Sequence, residues 1–127
     1  MCGDPKEFCA LVDAVDSPYL AAGLDVGHCA LTGFDIPDFI HALGKDRLKA
    51  LHIHDVDYRS DTHALPFQQM LPWEEIMAAL ADIGYEGDLT FEANNFVKNL
   101  PVELIEPACA FMAQTGRYLI SRFEAHR

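Results

Sequence analysis

The chain lacks any apolar run approaching the roughly 18 residues of a membrane span, and its first residues carry neither a basic segment nor the apolar stretch of a secretory leader. A soluble, cytoplasmic protein is expected. Basic residues are scarce: 9 Lys and Arg stand against 20 Asp and Glu, for a formal net charge of −11. Such a field repels phosphate backbones and anionic lipids, so nucleic acid and membrane are poor partners. No Cys-x-x-Cys spacing links Cys2, Cys9, Cys29 and Cys109. Scattered on apolar stretches, they are expected as buried, reduced thiols rather than a disulfide frame. Low-complexity and disorder-prone segments are also missing. What remains, 127 residues of which 50% are apolar, suffices for one domain over 1–127 with a real core.

Helix and strand signals alternate along the chain. Asp4-Pro5 before KEFCALVDAV supplies an N-cap, a first-turn proline and amphipathic spacing, and this helix should end before Asp16-Ser17-Pro18. A strand is expected over about Ala22 to Val26. Asp35-Ile36-Pro37 opens a second helix that Gly44 should close. Leu48 to His54 reads as the second strand. Asp55 to Pro72 has no periodicity and is long for a connection, which marks it as a functional loop. Pro72 starts a third helix running to Ile83, Asp88 to Ala93 forms a third strand, and a last helix covers about Pro101 to Phe123, with Pro107 and Gly116 as the places where it would break. The order α, β, α, β, α, β, α leaves room for right-handed parallel crossovers. Three parallel strands alone make a poor domain, because both outer strands expose unpaired backbone and parallel sheets normally need cover on both faces.

Three of the apolar runs end in acid and histidine: LDVGH at 24–28, LHIHDVD at 51–57 and LTFEAN at 89–94. Parallel strands deliver their C-terminal ends to one side of a sheet, so these side chains should gather in one place. Carboxylate, imidazole and carboxylate arriving in turn form a mixed nitrogen and oxygen set suited to Mn, Zn, Co or Mg.

The segments LDVGH, ALTG, FIHALG, RLKALHIHD, DTHALPF, PWEEIMAALADIGYEGDLTFEA and GRYLI resemble the C-terminal part of the xylose-isomerase-like TIM-barrel superfamily, which holds sugar-phosphate isomerases and epimerases and, more distantly, endonuclease IV. The resemblance implies an α/β fold. It would be a partial (β/α)8 barrel, three parallel strands with flanking helices equivalent to strands six to eight, the first five lying outside the chain. It further implies that Asp25, His52 and Glu92 ligate a divalent metal, while a fourth family ligand, a glutamate after the fifth strand, has no counterpart. His52 is preferred over His54 because the family places its ligand three residues before an acidic position, here Asp55. His54 is then expected as a substrate contact, with a donor behind the ligands or a polar residue at the strand end as the alternative, and Asp55 as a loop cap.

The same resemblance makes His28 a substrate contact in sugar enzymes, or a zinc ligand in the endonuclease. Asp61-Thr62-His63 has the Asp-x-His spacing that supplies two endonuclease ligands, and in the sugar enzymes similar loop residues shape the pocket; a solvated loop is the alternative. Arg59 is placed to meet a sugar hydroxyl or phosphate. Phe67, Trp73 and Phe96 would wall a pocket, although packing is the commoner role of a tryptophan at a helix start. Gln68-Gln69 stand where many relatives have glycine.

The chemistry implied is an isomerisation or epimerisation through a metal-stabilised enediolate, with Glu92 as ligand and base together and His28 orienting the substrate oxygens. The expected substrate is a small sugar or sugar phosphate. Two alternatives stand beside it: an endonuclease-like phosphoesterase, favoured by His28, Asp61 and His63 and opposed by the acidic balance, and a non-catalytic half-barrel. Either way the exposed strand edges predict a homo-oligomer or a partner N-terminal half-barrel.

Overall fold

Caps written into the sequence start the first helices of the computed structural model, which describes residues 4–127; Cys2 lies outside them. Asp4 accepts from the amides of Lys6 and Glu7 to open α1, Pro5–Val15, which stops at Asp16 in a left-handed conformation. Strand β1 follows at Ala22–Asp25 and leads straight into α2, Val26–Leu31. Asp35 accepts from the amide of Asp38 and opens α3, Ile36–Arg47, interrupted at Gly44, whose φ of 64° suits the residue without a Cβ. Strand β2, Leu48–Ile53, precedes the long loop; α4 is Trp73–Asp82, β3 is Leu89–Phe91, a 3-10 turn covers Asn94–Phe96, and α5 runs Val102–His126.

The three strands form one parallel sheet in the order β1-β2-β3. Paired residues set its two faces: Leu24, Leu51, Ile53, Leu89 and Phe91 turn to the helices, and Gly23, Asp25, Ala50, His52 and Thr90 to the other side. The helix side holds the core, where Ile40 and Leu43 of α3, Ile76, Met77 and Leu80 of α4, and Leu119 of α5 close over Leu51 and Ile53 without exposed surface. Most of the other side is exposed at Gly23, Ala50, His52 and Thr90. A parallel sheet with one bare face departs from the usual doubly covered arrangement.

Three expectations need correction. The short α2 was not expected and takes Val26 from the first strand, because Asp25 ends that strand and at once accepts from the His28 amide as the N-cap. Helix α5 does not break. Residues 102–107 are exposed, so the carbonyl that Pro107 leaves without a helical donor meets water, and Gly116 serves packing: a Cβ there would come 3.1 Å from the Phe91 ring. Cys29 is buried and Cys9 partly so, whereas Cys109 is exposed on the outer side of α5. Among the described residues no helix is long and apolar enough to cross a membrane.

Candidate active site

Sheet register decides which strand-end residues meet. Asp25 lies opposite His52, and Glu92 follows β3 one residue beyond its last pairing, its amide donating to the carbonyl of Ile53 at 2.9 Å. One ligand atom from each of Asp25, His52 and Glu92 lies within 4.8 Å of the others. His52 Nδ1 is 3.0 Å from Glu92 Oε2 and 3.9 Å from Asp25 Oδ2. Although close, the first pair is not aligned as a hydrogen bond, and Glu92 Oε2 is a buried oxygen without a partner. Two carboxylates and an imidazole with spare acceptor capacity are the donor set that a hard or borderline divalent cation takes.

Asp25 is held from behind. Its Oδ1 accepts from the His28 amide and from His54 Nε2, each at 2.9 Å. Burial pushes the Asp25 carboxyl up, but the hydrogen bonds from His54 and the His28 amide outweigh it and hold the group well below the ordinary carboxylate range. His54 has no exposed surface, and it fits only because residue 27 is glycine, since a Cβ there would overlap the His54 ring. The two histidines of HIHD thus separate: His52 is half-exposed beside Glu92, and His54 supports Asp25 from within.

A second group sits against the first. His28 Nδ1 is 3.0 Å from Asp25 Oδ2, and its Nε2 is 3.2 Å from Asp61 Oδ2. Asp61 Oδ1 meets His63 Nδ1 at 2.9 Å, and His63 Nε2 is 3.7 Å from Glu92 Oε1. The His54 and His63 rings stack in parallel with centroids 4.2 Å apart, and His28 approaches both edge-on. Ligand atoms of His28, His54, Asp61 and His63 again fall within 4.8 Å of one another. Partial burial lowers the His28 pKa, but Asp61 and Asp25 overcome it and raise the group above its usual value.

The loop between β2 and α4 brings Asp61 and His63 inward and leaves other expected residues outside. Arg59 is exposed, and its hydrogen bond among the described residues is from its backbone to Asp57. Trp73 is buried in the core and donates from Nε1 to Asp55. Phe96 packs toward Phe111 of α5. Phe67 is exposed with a φ of 74°, so after Pro66 the left-handed conformation falls on Phe67 and not on Gln68 or Gln69. Two contributors escaped the sequence reading: Gly27, which makes room for His54, and Asn95, whose Nδ2 donates to the Thr62 carbonyl at 2.8 Å. Neither carries a local sequence signal, because each is defined by a neighbour remote in the chain.

The profile of the xylose isomerase-like TIM barrel family matches residues 1–115. The chain belongs to this family. A fructoselysine 3-epimerase of Escherichia coli O157:H7 is 36% identical over 87 residues, covering 68% of the chain and 31% of the relative. A D-psicose 3-epimerase of Enterocloster bolteae is 32% identical over 87 residues, 68% of the chain and 27% of the relative. The chain spans about a third of the length of the curated relatives it matches. The fold agrees with a solved D-psicose 3-epimerase from Clostridium cellulolyticum H10, crystallised with D-tagatose, at a TM-score of 0.75 and 21% identity over 92% of the chain and 44% of that structure. An L-ribulose 3-epimerase superposes at 0.69 with 20% identity, over 98% of the chain and 43% of that structure. The three-stranded sheet is therefore part of a xylose isomerase-like TIM barrel, and its bare face is the side such a barrel turns to its interior.

Proposed function

We propose that this chain is the C-terminal part of a metal-dependent sugar isomerase or epimerase that moves a proton at a carbon next to a ketose carbonyl. The convergence of Asp25, His52 and Glu92 at adjacent strand ends carries the reading. Relatives named as 3-epimerases direct it to carbon 3 of a ketose. Asp25, His52 and Glu92 would hold the ion, one of Mn, Zn, Co or Mg. When bound, such an ion polarises a carbonyl and stabilises charge on neighbouring oxygens.

The chain's own residues supply the rest. Glu92 keeps Oε2 without a hydrogen-bond partner, which leaves a lone pair to take the carbon proton and return it. His54 acts through Asp25, fixing that carboxylate by the 2.9 Å bond to Oδ1. His28 offers an N–H to a substrate oxygen in exchange for Asp61, and Asp61 and His63 line the mouth beside Glu92. Arg59, exposed on the same loop, is the group for a more distant hydroxyl or a phosphate. The bare sheet face and its two open edges need cover, from the preceding units of a barrel or from a second copy.

The test joins the chain to the N-terminal units of a relative and follows deuterium exchange at carbon 3 of a ketose. Glu92→Gln should abolish exchange and keep most substrate binding, since size and hydrogen-bonding shape survive. Exchange at the parent rate would remove Glu92 as the base. One observation favours a second reading, a phosphoesterase: the His28, His54, Asp61 and His63 group could hold a further cation. Salt-dependent binding to abasic DNA with more than one ion per chain would replace the sugar reading with that one.

A further inference from the structure

Asp55 is the one acidic residue among the described residues that is fully buried, and the donors to its carboxylate are none of the groups assigned to the ion or the sugar. Its carboxylate is filled by four donors. Oδ1 accepts from the amides of Val56 and Leu71, each at 3.0 Å. Oδ2 accepts from the Gln69 amide at 3.0 Å and from Trp73 Nε1 at 3.1 Å. The main chain of the same residue grips the other limb of the loop: its amide donates to the Ala64 carbonyl at 2.8 Å, and its carbonyl accepts from the Ala64 amide at 3.1 Å and from Thr62 Oγ1 at 2.9 Å. Residues 62 and 64 are thus tied down on either side of His63. The loop also holds three non-glycine residues in left-handed conformations, Tyr58, His63 and Phe67, which persist only where surrounding bonds over-determine them.

We infer that Asp55 is a positioning residue, clamping both limbs of the loop 55–72 so that His63 stands beside Glu92 and Asp61 beside His28. The clamp rests on the proposed site for its purpose, but its physical content concerns the loop alone. A loop cap satisfies one or two neighbouring amides; Asp55 instead collects donors up to 18 residues away. Each oxygen holds two of the four donors, so replacing either removes two bonds together. Asn at this position keeps one oxygen for one pair of donors and turns an NH2 toward the other pair.

The whole chain tests this with Asp55→Asn and the milder Trp73→Phe, read by amide hydrogen exchange, by His63 imidazole NMR signals and by Mn2+ titration. In Asp55→Asn, protection of the Ala64 and Leu71 amides should fall at least tenfold and the His63 signals should move toward those of a free imidazole, while Mn2+ affinity, set by strand residues, stays within about threefold. Trp73→Phe should show the same changes, smaller, and decides the matter alone should Asp55→Asn not fold. Unchanged His63 signals and amide protection in the folded variants would overturn the inference. A uniform loss of protection across β1, β2 and β3 would overturn it too, by making Asp55 a general core residue. If the parent takes up no Mn2+, the metal reading fails, and the His63 and amide signals still decide the clamp.

Discussion

Replacing Gly27 by alanine should disable the centre from a position that touches neither metal nor sugar. A Cβ at residue 27 would fall within 3.0 Å of three atoms of the His54 ring, and that ring has no exposed surface into which to retreat. Two costs follow. Overpacking a rigid interior costs about 1–3 kcal/mol. Displacing the ring also breaks its bond to Asp25 Oδ1, and a hydrogen bond to a charged group contributes about 1.5–3 kcal/mol. Together they predict a loss of about 3–5 kcal/mol, which for a chain of this size lowers the melting temperature by roughly 10–20 °C. Losing the support behind a ligand should also weaken Mn2+ binding about 10- to 100-fold. Gly23→Ala is the control: its Cβ would meet that of Ala50 at 3.8 Å, an ordinary contact, so stability should hold. Urea and thermal melts with and without Mn2+ provide the assay. A Gly27→Ala protein within about 1 kcal/mol of the parent and with parental Mn2+ affinity would show that His54 is not pinned, and would refute the role given to it.

Three further outcomes are expected. Because the Asp25 carboxyl is depressed in the folded state, its stabilisation is present above its unfolded pKa of about 3.8 and is lost as pH falls through the lower folded value; in EDTA, Asp25→Asn should cost about 2 kcal/mol at pH 6, and this gap should close toward pH 2, so a constant gap would contradict the assignment. Leu43→Ala, at a fully buried site, should cost about 2–5 kcal/mol in a urea melt, and a cost below about 1 kcal/mol would mean that α3 does not seal the core. With bare edges on β1 and β3, the isolated chain should self-associate at micromolar concentration, burying more than roughly 1,000 Å² or aggregating; sedimentation showing a stable, cooperatively unfolding monomer would refute this.

The sequence by itself determined the order of the strands and longer helices, the caps at Asp4 and Asp35, the break at Gly44 and the three strand ends that carry ligand-type residues, because periodicity, capping and strand alternation act between neighbours in the chain. The resemblance of its motifs then supplied the barrel, which the family match bears out. Local signals misled where a residue serves a distant partner. Gly116 reads as a break and is the surface on which Phe91 packs; Asp25 reads as a strand end and also caps α2; Asp55 reads as a cap and binds the two limbs of a long loop. The resemblance preferred His52 over His54 by spacing, and only the tertiary structure gives the physical reason: His52 lies in β2 and His54 just beyond it, and what distinguishes them is the space over Gly27 and the reach of Asp25 across the sheet. Contacts between residues about 30 apart in sequence, such as His28 with Asp61, exist because parallel strands end on one side and their loops fold over it, and no local pattern encodes which loop residue arrives there.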